Sequence, residues 1–391
     1  MPDLKISQLP VAINPSLDGL IPTAENTGTA NNNITLGTFR NDLFTQFPTA
    51  SATRSNMGAT LTGSAKWFGG VLAPNGKIYG IPYSSTDILI IDPVAGTATR
   101  SNMGADLTGT LKWQGGVLAP NGKIYGMPNY STDILIIDPV AGTATRSNME
   151  ATLSGTLKWF GGVLAPNGKI YGIPFSSTVI LIIDPVAGTA TGSAMGATLP
   201  SGGDKWIGGV LAPNGKIYGI PYGSTDILII DPVAGTATRS AMGADLTGSS
   251  KWHGGVLAPN GKIYGIPWNS TDILIIDPVE GTATRSAMGA DLTGGAKWQG
   301  GVLAPNGKIY GIPRNSTDIL IIDPVAGTAT RSAMGATLSD GNKWIGGVLA
   351  PNGKIYGMPW YSTDILQITS ELNASCNIPI ETCMSAYYNK L

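Results

Sequence analysis

Histidine is almost missing from this sequence. His253 stands alone among 391 residues, so a multi-histidine metal site cannot be assembled and no histidine base can recur along the chain. Charge is sparse as well, at 13% Asp, Glu, Lys and Arg. The formal net charge of −1 leaves no basic excess to neutralise a polyanion, which excludes nucleic acid as a partner. Apolar runs such as Ile88-Leu89-Ile90-Ile91 are far too short to cross a bilayer, so no membrane insertion is expected. The opening MPDLKISQLP lacks a charged region followed by an apolar core, and no secretory signal is expected. Cysteine is confined to Cys376 and Cys383, which allow one local disulfide or two free buried thiols. Glycine (54) and proline (27) are plentiful, a composition that favours short strands and tight turns over long helices.

The twelve letters GGVLAPNGKIYG, beginning at Gly69, occur seven times. A Lys-Trp pair marks each copy, at Trp67, Trp113, Trp159, Trp206, Trp252, Trp298 and Trp344, with spacings of 46, 46, 47, 46, 46 and 46. A period in the forties with several strands per copy is the signature of a propeller blade. Within one copy, Trp67 to Ala73 reads as the first strand. The Asn75-Gly76 turn follows, since both residues tolerate positive φ. Lys77 to Pro82 is the second strand and Asp87 to Asp92 the third, apolar on both faces as a strand covered on both sides should be. Thr97 to Ser101, polar and Thr-rich, is the outer fourth. Gly69 and Gly70 fall where first strands converge on the axis, and absent side chains permit close backbone approach there. A phosphate cradle is disfavoured, because no helix follows them.

The last copy stops at Asp364 to Thr369 without the final strand. Its missing piece lies at the other end, where Ser51-Ala52-Thr53-Arg54-Ser55 matches TATRS. The expectation is an all-β, seven-bladed β-propeller of four-stranded blades over residues 50–370, closed by an N-terminal strand that leaves no open sheet end. Residues 1–49 and 371–391 flank it.

The copies differ at particular places. Strand alternation puts the turn before strand one and the turn after strand two on one face, and APNG and DPVAGT on the other. The second face is nearly uniform, with Glu280 the one departure from Ala. On the first face, the residue after Trp is Phe68, Gln114, Phe160, Ile207, His253, Gln299 or Ile345. The residue after the strand-two Pro is Tyr83, Asn129, Phe175, Tyr222, Trp268, Arg314 or Trp360, and Tyr130 and Tyr361 follow two of these. Aromatic faces stack on sugar rings or apolar groups, and amides and Arg supply directed hydrogen bonds. The candidate ligand-binding set is therefore Phe68, Tyr83, Gln114, Tyr130, Phe160, Phe175, Tyr222, His253, Trp268, Gln299, Arg314, Trp360 and Tyr361. The bland alternative is loop tips that tolerate change.

No catalytic constellation emerges, and neither a metal nor a cofactor is expected. His253 reads as a contact residue rather than a base. Asp87 and Asp92 recur, as metal or glycosidase carboxylates might. They lie an odd number of residues apart on one strand, so their side chains face opposite ways. Asp92 is expected to bond turn N–H groups, while Asp87, replaced by Val179 in one copy, needs no special role. The recurring Arg54, Arg100, Arg146, Arg239, Arg285 and Arg331, interrupted by Gly192, reads as edge-strand charge against aggregation, with an anion-binding belt as the alternative. Two Asn-Ser-Thr sequons, at Asn269 and Asn315, are treated as chance matches.

Residues 1–49 differ in composition from the ring and are too few to build a core unaided. Phe39, Leu43 and Phe47 fall on one face of a short helix capped by Thr38. The order LKISQLP, then DGLIP, then NITLGTFRNDL resembles the N-terminal segment of bacteriophage tail-fibre and other virion proteins. The resemblance covers about 40 residues. It implies an attachment module, with Ile6, Leu9, Ile21, Ile34, Leu36, Phe39 and Leu43 as core or docking residues, other virion proteins and sister chains as partners, and location on the virion. The repeats are similar to kelch and NHL propellers in general plan alone, since the kelch Gly pair ending strand two is absent.

Together these readings point to a non-enzymatic virion protein, of tail-fibre or appendage type and homo-oligomeric, whose variable face recognises a host-surface glycan. The alternatives are a purely structural decoration or assembly protein and a polysaccharide-acting propeller hydrolase or lyase.

Overall fold

A computed structural model describes residues 50–371. They form twenty-eight strands in seven four-stranded antiparallel sheets, and no helix occurs among the described residues. The first blade holds β2 (Trp67–Leu72), β3 (Ile78–Pro82), β4 (Ile88–Asp92) and β5 (Thr97–Ser101). These strands start or stop up to one residue inside the predicted bounds. The innermost strands of neighbouring blades touch in succession all the way round, and the last meets the first. The chain is a closed seven-bladed β-propeller.

Closure uses the predicted strand. β1 (Ser51–Ser55) pairs antiparallel with β28 (Ile365–Thr369) and completes the sheet that also holds β26 (Trp344–Leu349) and β27 (Lys354–Pro359). Ala52 faces Ile368, is buried, and its N–H donates to Met334 O at 2.7 Å. The predicted helix around Phe39, Leu43 and Phe47, the docking residues between Ile6 and Leu43, and Cys376 and Cys383 lie outside the described residues.

The apolar core sits between blades. Val71, Tyr79, Ile81 and Ile88 of one blade pack with Trp113, Ile124, Leu135 and Ile137 of the next, and the last blade packs on the first in the same way. β4 is covered on both faces, as its apolar run requires. Each blade therefore buries its sheet only by having neighbours, which is the energetic basis of a repeat fold.

The glycine pair has the packing reason the sequence implies. A Cβ on Gly116 would sit 2.7 Å from Ile81 Cδ1 of the preceding blade, and one on Gly115 would sit 3.3 Å from Gly161 Cα of the following blade. Gly115 also takes a φ of +74° in a bulge between Trp113 and Gly116, where any side chain is strained.

The uniform face owes its constancy to bonds between blades. Asn75 Nδ2 donates to Tyr79 Oη at 2.9 Å within its blade and to Pro139 O of the next blade at 3.2 Å. The series ends with Asn352 donating to Pro93 O at 3.0 Å, across the junction of last and first blades. Asp92 Oδ1 accepts from the N–H groups of Val94 and Ala95, as predicted. These bonds and an ion pair with Lys77 hold its carboxyl below the usual range, the Ala95 N–H acting most strongly.

Two expectations need correction. Arg100 does not merely charge an edge. Its guanidinium lies over Trp67, 5.6 Å from the ring centroid, donates to Thr60 O at 3.0 Å, and pairs with Asp87 at 2.8 Å. Asp87, assigned no special role, is thus the counter-ion of Arg100, while its backbone carbonyl accepts from Trp67 Nε1 at 2.7 Å. The same Arg–Asp pair recurs at 2.6–3.1 Å in the other intact copies. In the last blade Arg54 of the closing strand supplies it, lying over Trp344 and pairing with Asp364 and Asp340. One blade lacks both partners. Val179 replaces the Asp, Gly192 replaces the Arg, and the two residues face each other closely, a Cβ on Gly192 meeting Val179 Cγ2 at 2.9 Å. Trp159 of that blade, without a covering guanidinium, is 3% exposed where the other six are at 0%.

Candidate functional site

The varied residues meet at the end of the ring axis. Each residue after the blade Trp lies inside the bulge of the first strand, which re-aims side chains, and Phe68 shows the outcome. Its ring reaches Tyr83 and Trp360 nearby, at 5.8 and 5.7 Å. It also reaches Phe160 and His253 two and three blades away round the ring, at 6.2 and 6.0 Å. One half-buried phenyl group thus occupies the centre of the mouth.

A cavity of about 200 Å³ opens around it. Eleven of the thirteen candidate residues line this cavity: Phe68, Tyr83, Gln114, Phe160, Phe175, Tyr222, His253, Trp268, Gln299, Arg314 and Trp360. Tyr130 and Tyr361 do not, and stand exposed beyond it (38% and 48%). Ile207 and Ile345 join the lining. They occupy the same varied position as Phe68, so comparing copies was enough to find them. Most of the lining is buried, and the mouth is a partly filled funnel rather than a flat rim.

Its wall alternates in character. Tyr83, Ile345 and Trp360 form one apolar cluster against Phe68. Phe160, Phe175 and Ile207 form a second against Tyr222, with Phe160 stacked on Phe175 at 3.9 Å. Between them lie polar sectors. Gln114 occupies one; Asn129 of the same blade is buried and does not line the cavity. His253, Trp268, Gln299 and Arg314 make the other. Gln299 Nε2 donates to His253 Nε2 at 2.9 Å, which puts the proton of the neutral ring on Nδ1. Burial, aided by the nearby Arg314 charge, lowers His253 to about 3, so the imidazole is neutral at physiological pH. Gln114 and Gln299 are 2% and 3% exposed, and the Oε1 atom of each has no protein partner. A buried acceptor left unpaired costs about 1–3 kcal/mol.

Beneath the mouth runs a ring of lysines whose role the sequence did not reveal. Lys112 Nζ donates to Tyr83 O, Ser85 O and Gly109 O at 3.2, 3.0 and 2.7 Å, tying its blade to the preceding one. All seven lysines of the Lys-Trp pairs are buried, and desolvation lowers each to about 8. Among the described residues no group of three or more His, Cys, Asp or Glu could hold a metal ion.

No protein-family model matches this chain, and no curated protein does. Solved structures do. A streptogramin B lyase is similar at 15% identity and a TM-score of 0.65, over 82% of this chain and 97% of that one. A catalytically inactive histidine-to-alanine variant of virginiamycin B lyase from Staphylococcus aureus, solved with quinupristin, matches at 14% identity and a TM-score of 0.63, over 82% and 99%. The extracellular domain of a putative hybrid two-component system from B. thetaiotaomicron matches at 11% identity and a TM-score of 0.62, covering 82% of this chain and 41% of that one. At such identities the likeness shows the propeller fold alone.

Proposed function

We propose that this chain is a non-enzymatic recognition protein of a virion. Residues 1–49 attach it to the particle or to sister chains, and the funnel at one end of the ring binds a glycan of the host surface. The observation that carries this reading is the convergence of diversity. In repeats otherwise nearly identical, two of the most varied positions, the residue after the blade Trp and the residue after the strand-two Pro, come together around one cavity, while the position of Tyr130 and Tyr361 and the segment before Lys-Trp vary outside it. The chemistry suits a sugar. Aromatic faces stack on the apolar face of a pyranose, each contributing about 0.5–1.5 kcal/mol. The unpaired Oε1 atoms of Gln114 and Gln299 are acceptors that sugar hydroxyls can fill. Several copies on one particle would add avidity through effective concentration. A glycosidase or lyase reading is weaker, because no Asp or Glu lines the cavity and the Nε2 of its one histidine is taken by Gln299.

A second reading is favoured by one observation on the opposite face. Val94, Val140, Val186, Val233, Val279 and Val325 stand 80–88% exposed in a turn whose constancy their own side chains do not explain, as expected if that face docks on other virion proteins. One experiment separates the three. Particles carrying Tyr222→Ala and Trp268→Ala together should assemble and lose host-cell adsorption. Particles carrying Val→Ser at the six valines should be unaffected. Failed assembly of the valine variant with normal adsorption of the aromatic variant favours the structural reading. Reducing sugar released from host envelope by the purified ring overturns the non-enzymatic one.

A further inference from the structure

Arg314 is the one arginine among the described residues without a carboxylate partner. The six outer-strand arginines each pair with an Asp. Arg314 follows β23 (Ile309–Pro313), at the mouth instead of the outer edge. Its guanidinium stacks on Trp268, 4.5 Å from the ring centroid, and makes no hydrogen bond to a described residue. No Asp or Glu lines the cavity.

The seven buried lysines beneath the mouth do not line the cavity, and they are engaged to different degrees, Lys205 Nζ making one hydrogen bond, to Gly202 O. Lys297 Nζ donates to Trp268 O, Ser270 O and Gly294 O at 3.0, 3.0 and 2.8 Å, and Lys251 is held in the same way. Three acceptors satisfy an ammonium's three N–H groups. Arg314 is the one cation among the residues lining the cavity, and it offers unused donors there in a planar fork that matches an oxyanion bidentately. Trp268 holds one face of the fork, so its edge remains for a ligand. His253, beside it, is neutral and donates nothing from the Nε2 it gives to Gln299.

We propose that the funnel selects an anionic sugar, one bearing a carboxylate or a sulfate. Arg314 takes the oxyanion, Gln299 Oε1 accepts a neighbouring hydroxyl, and the rings of Trp268 and Tyr222 line the same sector. This rests on the glycan-recognition reading and narrows it to a charge class.

The test is full-length protein on a printed array of neutral, carboxylate-bearing and sulfate-bearing glycans, with Arg314→Gln and Arg314→Lys in parallel. Binding is expected on one of the two acidic sets, and which one distinguishes uronate-type from sulfated ligands. Arg314→Gln should weaken it at least about tenfold, the scale of a lost charge-assisted hydrogen bond. Arg314→Lys should recover part of it. For the unmodified protein, raising NaCl from about 50 to 500 mM should weaken binding several-fold through screening, a readout that does not depend on a variant folding. Neutral glycans bound as well as acidic ones, or Arg314→Gln binding unchanged, overturns the inference and leaves glycan recognition standing. No glycan of any charge class bound overturns both.

Discussion

The blade that holds Val179 and Gly192 offers a direct measure of what the Arg–Asp pair does for the others. Gly192→Arg alone places a Cβ where Val179 Cγ2 stands 2.9 Å away, and overpacking of that kind costs about 1–3 kcal/mol. The new guanidinium would recover about 0.5–1 kcal/mol by lying over Trp159, as its counterparts lie 5.5–5.8 Å from theirs. Val179→Asp alone leaves a carboxylate unpaired and strips apolar cover from the core. The double variant removes the clashing methyl and supplies the ion. With side chains 26–29% exposed in the native pairs, the ion pair itself falls near the upper end of the 0.2–1 kcal/mol typical of exposed pairs. Relief of the clash adds to that. A coupling of about 1.5–3 kcal/mol in favour of the double variant is expected from urea unfolding of the four proteins in a double-mutant cycle. The mirror cycle, Asp133→Val with Arg146→Gly, should couple with the same sign. Coupling energies within about 0.5 kcal/mol of zero in both blades would refute the role given to the pair.

Three further outcomes follow from the ring. Ala52→Asp buries a carboxylate in the closing strand, should cost about 2–4 kcal/mol, and should expose the edge of β28, so that size-exclusion chromatography shows association; a monomeric protein of unchanged Tm refutes the closure. Asn167→Ala removes donors to Tyr171 Oη and to Pro232 O of the next blade and should lower stability by about 1–2 kcal/mol, read from its urea midpoint. The lysines are lowered to about 8 by burial and return to their ordinary value near 10.5 on unfolding. Between those limits the unfolded chain binds more protons, so stability should rise as pH rises from about 8 to 10.5. A Tm that stays flat or falls between pH 8 and 9.5 shows that the carbonyl cages favour the ammonium as much as burial opposes it.

Much of this fold was legible because the repeat states it seven times. Period, Asn-Gly turns and the apolar run of β4 are local signals, and the missing strand of the last copy pointed to Ser51–Ser55 as its replacement. The sorting of variable residues onto one face followed from strand alternation. Other features belong to contacts that no single segment contains. Asn75 finds Pro139 only when blades stand side by side. The bond between Asp87 and Arg100 spans 13 residues; Val179 and Gly192, changed together in one copy at that same spacing, were the available clue. The direction of the mouth residues was hidden too. Alternation assigns a face, but the bulge between Trp67 and Gly70 turns Phe68 toward the axis, and the varied face closes into a funnel.

The collar of glycines around the axis has a consequence for how such a protein can change. Gly69, Gly115, Gly161, Gly208, Gly254, Gly300 and Gly346 stand so near one another that an added methyl would meet a neighbour's backbone at 3.2–3.8 Å, and at Gly115, Gly208, Gly300 and Gly346 would press it at 3.2–3.3 Å. They act as a gauge that fixes the circumference. Near-identical tandem copies can be gained or lost in one recombination event, and the strand that fastens the circle lies outside the array, so it would survive. The collar would not. Its spacing belongs to seven members, and a circle of six or eight would crowd or part it and move Phe68 relative to every partner it meets across the opening. Diversification by substitution keeps the gauge and alters the mouth, whereas diversification by copy number alters both at once.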